Sequence, residues 1–129
     1  MGVVKCVILL KRRPDLTPQE FRARYEAGHV QLAHKYLGHL FSDYRRNYAI
    51  PYAEHLGDDP NPGFADSPYD CVTEIWLPDQ SAWNEMQRIT ADPVIGRIFQ
   101  EDEETFMDRD ALKIFVAEEV MSPREALRN

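Results

Sequence analysis

Several features that define large classes of protein are scarce in this sequence. Its two cysteines, Cys6 and Cys71, are too few for a disulfide framework and predict a reducing, cytoplasmic environment. No apolar run approaches the roughly 20 residues that a membrane-spanning helix needs, and the apolar opening stretch lacks the cleavage site of a signal peptide. Only 15 Lys and Arg stand against 22 Asp and Glu, and the net charge of −7 argues against a nucleic-acid partner. We therefore expect a protein that binds neither membranes nor nucleic acids.

Motifs for common catalytic machineries are missing as well. There is no glycine-rich phosphate loop, CxxC pair or nucleophile elbow, so nucleotide binding and serine hydrolysis are not expected. His29, His34 and His39 are spaced by five, which places neighbours about 140° apart around a helix and not on one metal-binding face. Glu26 and His29 have the spacing of a di-iron half-motif, but such a site needs further carboxylates on partner helices. We therefore expect no metal site.

A clear helix start is present at residue 17. Thr17 and Glu20 have the spacing of a capping box, in which each side chain accepts a hydrogen bond from the backbone N–H of the other residue. Pro18 falls at the first helical position, where its missing N–H costs nothing. Leu16 and Phe21 can form a hydrophobic staple. These signals predict a helix that begins here and ends near residue 38.

One face of this helix is aromatic and contains a histidine. At about 100° per residue, an arc of about 120° holds Phe21, Tyr25, His29, Leu32, Ala33 and Tyr36. His34 lies on the opposite face and is expected to meet water. His29 therefore points inward, where it is either a hydrogen-bonded core residue or a working acid–base group.

Strand patterns occur in four stretches, which are 3–11, 40–52, 69–77 and 111–120. The first is apolar on both of its faces, and the last carries apolar residues on both faces as well. In the second, Asp43 and Asn47 share one face while Tyr44 and Tyr48 share the other. In the third, Trp76 points away from the face that holds Cys71.

Two shorter helices are predicted in the second half of the chain. Asp79 can cap the first of them, and the pair Asp92-Pro93 can end it and begin the next. The last helix turns Phe99 inward. The charge run 101–104 is expected to be a solvated helix end.

A long loop separates the second and third strands. Residues 53–68 are crowded with Gly, Pro and Asp and show no periodicity. Loops of this length are usually functional or disordered. Because this one carries His55 and Phe64 in an otherwise polar segment, we expect an arm or lid.

The order of elements is β-α-β-β-α-β, which predicts an α+β domain with the ferredoxin-like fold. Residues 1–129 then form one domain, with a core over about 3–118 and a tail at 121–129. The first and third strands are neighbours in this fold, so Cys6 and Cys71 either approach each other or serve as small buried hydrophobes. Because both helices cover the same face of the sheet, the apolar residues on the other face predict a second copy of the chain in a homodimer.

Three segments of the sequence resemble the EthD family of the dimeric α+β barrel superfamily. They are VILLKRRPDLTPQEFRARYEAGHVQLA, YRRNY and YDCVTEIWLPDQSAW, and the resemblance covers roughly residues 3–118. Similar proteins include ones tied to ether degradation, fungal polyketide dehydratases and decarboxylases, and methylmuconolactone isomerases. The resemblance implies catalysis without a metal or organic cofactor, with the helix histidine, here His29, in a pocket between sheet and helices. The cysteine that the isomerases use is replaced by Ile75, so a thiol mechanism there is not supported.

General acid–base catalysis is the chemistry that these residues favour. A histidine can take and return a proton near neutral pH, which suits a small cyclic, aromatic or polyketide-type substrate with an acidic C–H beside a carbonyl. The enolate or phenolate so formed needs hydrogen-bond donors. Candidate donors are Tyr25, Tyr44, Asn47, Tyr48 and His55, and candidate apolar walls are Tyr25, Trp76 and Phe99. Burial would lower the pKa of His29, and a carboxylate such as Asp43 would oppose that change.

Three functions stay open at this point. The first is a cofactor-free lyase or isomerase whose catalytic residues are His29, Asn47 and Tyr44, with Asp43 among the substrate-binding residues. The second is a cofactor-independent monooxygenase of the same superfamily. The third is a non-catalytic ligand-binding dimer, in which the tyrosines serve core and interface packing.

Overall fold

The computed structural model describes residues 2–50 and 67–128. The strands are β1 (Val4–Leu10), β2 (Asp43–Tyr48), β3 (Cys71–Leu77) and β4 (Lys113–Ala117). The α-helices are α1 (Pro18–Arg24), α2 (Val30–Leu37), α3 (Gln80–Ala91) and α4 (Pro93–Glu103). A π-helical turn over Tyr25–His29 joins α1 to α2, and short 3-10 segments lie at Gly38–Leu40, Arg109–Ala111 and Arg124–Leu127.

All four strands pair antiparallel in one sheet with the order β2-β3-β1-β4. This arrangement confirms the predicted ferredoxin-like α+β fold, in which the first and third strands are central neighbours. The two thiols do not face each other, because Cys6 pairs with Ile75 and Cys71 pairs with Leu10 in the ladder. Both cysteines are buried and free, as small core hydrophobes.

The predicted helix start is confirmed in detail. The Glu20 N–H donates to Thr17 Oγ1 at 3.1 Å, and the Thr17 N–H donates to Glu20 Oε1 at 2.9 Å. Pro18 occupies the first turn, and the staple residues Leu16 and Phe21 are both buried. The local sequence alone therefore fixes where the chain enters its first helix.

A π-helical turn in the first helix changes part of the buried face that the sequence predicts. Its extra residue makes the Val30 N–H donate to the Tyr25 carbonyl, five residues back instead of four. Beyond the turn, Val30 and Leu37 are buried, whereas Leu32, a member of the predicted arc, is only partly buried. The inserted residue rotates the rest of the helix and brings Val30 into the core, while Ala33 of the predicted arc is buried and Leu32 and Tyr36 pack against the core.

The two later helices, α3 and α4, begin and end at the residues that the sequence predicts. Asp79 accepts the Ala82 N–H at the start of α3. Asp92 ends that helix and caps α4 by accepting the Val94 and Ile95 N–H groups at 2.9 and 3.0 Å. The buried residues Met86, Ile89 and Phe99 join the core against β1 and β3.

The helices pack on one face of the sheet, which we call the inner face. The opposite, outer face carries a salt bridge between Lys5 and Glu74, with Nζ and Oε2 2.7 Å apart, and both apolar residues such as Val7 and polar residues such as Asn47 lie beside it. Strand β4 lies at the sheet edge, and its Ile114, Phe115 and Val116 are all exposed. Among residues 2–50 and 67–128, no helix is long and apolar enough to cross a membrane. Most of the predicted 53–68 arm, including His55 and Phe64, lies outside the described residues.

Candidate active site

A cavity of about 910 Å³ lies between the helical layer and the inner face of the sheet. Every strand contributes to its wall, as do α2, α3 and α4. Four of the predicted site residues line it, namely Tyr25, His29, Tyr44 and Phe99. The cavity is large enough to hold a small cyclic or aromatic molecule.

His29 stands at the last position of the π-helical turn, between aromatic rings and carboxylates. The rings of Tyr25, Phe99 and Phe106 lie around it at centroid distances of 5.7, 5.4 and 5.5 Å. Its Nδ1 is 3.2 Å from Asp102 Oδ2, and its Nε2 is 3.9 Å from Glu103 Oε2. The side chain is 14% exposed, so it meets the cavity without being surrounded by water.

Burial lowers the pKa of His29 below its ordinary value of 6.5, although the charges of Glu103 and Asp102 and the hydrogen bond to Asp102 oppose that change. The ring is therefore neutral at pH 7. A carboxylate can only accept a hydrogen bond, so the pairing with Asp102 favours the tautomer with its proton on Nδ1. In that tautomer Nε2 keeps a free lone pair, which is the form that a general base needs.

Gly28 provides the space that Asp102 occupies beside the histidine. A Cβ atom added at Gly28 would lie 3.0 Å from Asp102 Oδ1, closer than ordinary van der Waals contact. The glycine sits in the π-helical turn, directly before His29. One turn of helix thus both presents the imidazole and leaves room for its carboxylate partner.

The carboxylates of α4 correct the prediction that 101–104 is a solvated helix end. Asp102 and Glu103 have side chains only 24% and 19% exposed, and both flank His29. Glu103 Oε1 also lies 3.2 Å from Arg109 Nε. The sequence did carry a signal, because acidic residues at a helix C-terminus oppose the helix dipole and so call for another explanation. That signal could have identified the two residues that sequence reasoning missed.

Two phenols, the buried Tyr25 and the half-buried Tyr44, form part of the cavity wall. The Tyr25 hydroxyl lies 2.6 Å from Thr73 Oγ1, and both residues are buried. Burial raises the pKa of Tyr44 to about 12 and that of Tyr25 well above its ordinary value. Both phenols therefore stay protonated at neutral pH, and Tyr44, whose hydroxyl is not the one bonded to Thr73, is the candidate donor into the cavity.

Asn47, Asp43 and Trp76 lie on the outer face of the sheet and are not brought to His29. Strand alternation is the reason, because Tyr44 faces inward and residues one position away face outward. Asn47 is exposed, not a buried amide, and its Nδ2 donates to the Val72 carbonyl at 2.9 Å. Asp43 pairs with Arg45 on the outer face, and the charges that act on the pKa of His29 are those of Glu103 and Asp102. Within one chain, these three predicted residues are separated from the cavity by the sheet.

Tyr48 shares the inner face with Tyr44 but belongs to a different cluster. Its hydroxyl donates to Glu26. The same carboxylate accepts hydrogen bonds from Arg46 Nη2 at 2.8 Å and from Arg46 Nε at 2.9 Å. Burial, followed by the hydrogen bond to Glu26, raises the pKa of Tyr48. This cluster does not line the cavity. The remaining predicted residue, His55, lies outside the described residues.

The other helix histidine, His34, is exposed as predicted, but its ring packs edge-on against Tyr44 at a centroid distance of 5.8 Å. His39 is exposed without lining the cavity, so it is the cleaner control in mutational work. Within residues 2–50 and 67–128, no group of three or more His, Cys, Asp or Glu side chains is arranged to hold a metal ion.

Comparisons with known proteins agree with this fold. The EthD domain matches residues 13–110 of the chain. An EthD family protein from Bacillus halodurans is similar in structure, with a TM-score of 0.60, 19% identity, and coverage of 92% of this chain and 99% of that one. An EthD-like protein from Ralstonia eutropha has a TM-score of 0.65 and 11% identity, and the match covers 97% of this chain and 98% of that chain.

A third similar structure is a dimeric protein of unknown function with a ferredoxin-like fold from Bacteroides fragilis. It has a TM-score of 0.53 and 12% identity, and the match covers 92% of this chain and 97% of that one. None of the curated proteins matches the sequence.

Proposed function

The chain belongs to the EthD family, and from that premise we propose that it is a cofactor-free lyase or isomerase in which His29 moves a proton on a small cyclic, aromatic or polyketide-type compound. One observation carries this proposal. A neutral imidazole stands at the wall of a cavity with a carboxylate on its Nδ1, which leaves Nε2 as the basic atom.

The reaction would begin when Nε2 removes a proton from a carbon next to a carbonyl. The electron pair left on that carbon delocalises onto the carbonyl oxygen as an enolate, which needs a hydrogen-bond donor. Tyr44 is our candidate donor, because its phenol lines the cavity and stays protonated. Tyr25 stands beside it with its hydroxyl already bonded to Thr73.

The imidazolium formed in that step would then return its proton. Asp102 and Glu103 stabilise the positive charge while it exists. Return of the proton to a different carbon gives an isomerase, whereas its transfer to a departing hydroxyl, which leaves as water, gives a dehydratase. Isomerisation and dehydration need the same protein groups, and they differ in whether the substrate carries a hydroxyl leaving group.

Proton exchange tests this proposal before the natural substrate is known. Cyclic compounds with an acidic C–H, such as a butenolide and anthrone, would be incubated with the protein in D2O, and deuterium uptake followed by NMR. If His29 is the base, His29→Ala should lower the protein-dependent exchange rate about 10²–10⁴-fold. Melting temperature would be measured on the same preparations.

The control for this experiment is His39→Ala, which removes an exposed imidazole and should leave the exchange rate unchanged. A His29→Ala protein that exchanges as fast as the parent, whatever its melting temperature, would remove His29 from the reaction. A preparation that has lost both exchange and its folded state would be replaced by His29→Gln, which keeps more of the side-chain volume.

We also propose that the protein works as a homodimer joined through the outer faces of two sheets. Support comes from Phe115, which is exposed on the outer face of β4, and from a similar structure that is described as dimeric. The free, buried Cys6 and Cys71 suit the predicted cytoplasmic environment, which stays a prediction.

A further inference from the structure

We propose that the cavity selects uncharged substrates and excludes carboxylates and other anions. This inference rests on the proposed function, because it concerns the molecule on which His29 would act. The observation behind it is different, namely the balance of charge in the cavity wall and beside the histidine.

Acidic side chains outnumber basic ones in the part of the wall that the structure describes. The charged residues there are Asp92, Arg97, Glu101, Glu103, Glu104 and Arg109, together with the neutral His29. Each guanidinium already has a carboxylate partner. Arg109 Nε lies 3.2 Å from the mostly buried Glu103, whereas Arg97 Nε lies 3.3 Å from Glu101 at the solvent-exposed rim. No unpaired cation therefore faces the cavity from the described residues, and an anionic ligand would have to displace an existing pair.

The carboxylates nearest to His29 are also the least screened. Asp102 and Glu103 are mostly buried, and their oxygens lie 3.2 and 3.9 Å from the imidazole nitrogens. Water weakens interactions between charges much less at such sites than at the open surface. An anion placed against Nε2 would be held close to the like charges of Asp102 and of Glu103, the second of which is partly offset by Arg109.

The proposed chemistry adds to this preference. When Nε2 takes a proton from a neutral molecule, a single negative charge forms next to the new imidazolium, and the two attract each other. A substrate that already carries a carboxylate would become a dianion beside Asp102 and Glu103. The cavity is therefore suited to a ketone, lactone, ester or phenol in its uncharged form, and Trp83 and Phe99 supply the apolar contact.

Three matched probes can test this selectivity through binding alone. They are 1-naphthalenemethanol, 1-naphthoate and 1-naphthylmethylammonium, which share one ring system and differ in charge. Binding would be followed by NMR through the indole N–H of Trp83, which lines the cavity, while the indole of Trp76 points to the outer face and donates to Glu119. We expect the alcohol to bind at least about tenfold more tightly than the carboxylate, and the ammonium to bind no more weakly than the alcohol.

Variants that remove a single negative charge test whether the carboxylates near His29 cause the weaker binding of the anion. Glu103→Gln removes one negative charge and releases Arg109, so the affinity for 1-naphthoate should rise about tenfold while that for the alcohol changes little. Glu118→Gln makes the same change of charge at an exposed residue outside the cavity wall, and it should leave all three affinities unchanged.

Equal or tighter binding of the carboxylate by the parent protein would overturn the inference, as would failure of all three probes to shift the Trp83 signal. Neither result would touch the role of His29, which the deuterium exchange measures separately. Conversely, normal exchange by His29→Ala would end the proposed function while the charge preference of the cavity could still be read from these titrations.

Discussion

His29 can act as a base only if its ring keeps one tautomer and one orientation. Asp102 accepts the Nδ1 proton, while Phe99 and Phe106 hold the faces and edges of the ring. Hydrogen bonding and packing thus act on the same side chain from different directions. The carboxylate also favours the imidazolium that a proton transfer would create.

Replacement of Asp102 by Asn separates the effects of Asp102 on the tautomer and on the pKa of His29 from the packing of the ring. The amide has nearly the same size but no charge, so it cannot raise the pKa of His29, and its N–H₂ group can donate to Nδ1 and move the ring proton to Nε2. We expect the pKa of His29 to fall further in Asp102→Asn, and deuterium exchange to slow by at least about tenfold. Long-range ¹H–¹⁵N NMR of the ring nitrogens measures both the tautomer and the pKa.

Asp110→Asn, at an exposed position in the following 3-10 segment, is the control and should leave the ring signals unchanged. An Asp102→Asn protein with the parent tautomer and the parent pKa would show that Asp102 does not position His29. Asp102→Glu, which restores the charge, should recover part of the effect on the pKa.

The lowered pKa of His29 also predicts how stability depends on pH. The folded state binds fewer protons than the unfolded state between the folded pKa and the ordinary value of 6.5, so the free energy of unfolding rises with pH in that window. The contribution is complete above about pH 6.5 and is lost as the pH falls through the folded pKa. Urea unfolding of the parent and of His29→Ala, compared from pH 7.5 to 5, should show a steeper loss for the parent. Equal slopes would mean that burial does not shift this histidine.

At the scale of elements, the π-helical turn joins α1 to α2 and ends at His29. The extra residue over Tyr25–His29 brings Val30 into the core, while His29 keeps the inward direction that a regular helix also predicts for it. Turns of this kind are frequent at functional sites, because they cost helix hydrogen bonding and persist where something else offsets that cost. Here the surrounding contacts include the fit of Asp102 against Gly28.

A methyl group at Gly28 tests that fit. In Gly28→Ala the new Cβ would press on Asp102 Oδ1 at 3.0 Å and push the carboxylate from its place. Alanine favours helix more than glycine does, by about 1 kcal/mol, so the helix itself should not weaken. We expect slower deuterium exchange and an altered His29 tautomer, with a melting temperature close to that of the parent.

A double variant checks whether Gly28→Ala acts through Asp102. If Gly28→Ala acts through Asp102, the double variant Gly28→Ala/Asp102→Asn should exchange no more slowly than Asp102→Asn alone. Fully additive losses would indicate that the methyl group harms the site by another route.

The parts of these elements that the sequence predicts are those set by local contacts. Thr17 and Glu20 bond each other across a single turn, so their spacing was enough to place the helix start. The partner of His29 is 73 residues away along the chain, and nothing local joins Asp102 to it. Alternation in β2 separated Tyr44 from Asn47, but it did not tell which of them faces the helices, because both faces of that strand carry polar groups.

For the whole molecule, the open question is what covers the outer face of the sheet. The central strand places Val7 there, opposite Phe115 on one side and Glu74 on the other. Lys5 is held by Glu74 and by Glu119, at 2.7 and 3.1 Å, and lies over the Trp76 ring at 4.4 Å. Charged groups that are paired within one chain can be buried at an interface at less cost than unpaired ones. An outer face of this composition suits a second copy of the same face.

A charge placed at Phe115 should therefore prevent dimerisation without unfolding the chain. Phe115 is 49% exposed in the single chain, so an aspartate there meets water in the monomer but would be buried in a dimer, close to Glu74 on the same face. We expect the parent to sediment as a dimer at micromolar concentration, with an interface on the order of 2,000 Å². Phe115→Asp should sediment near the 15.0 kDa of one chain. Val94→Asp, a similar change at a 69% exposed residue of α4, should remain dimeric. A parent protein that sediments as a monomer would leave the outer face without the cover we propose, whereas a dimeric Phe115→Asp would move the interface to another surface.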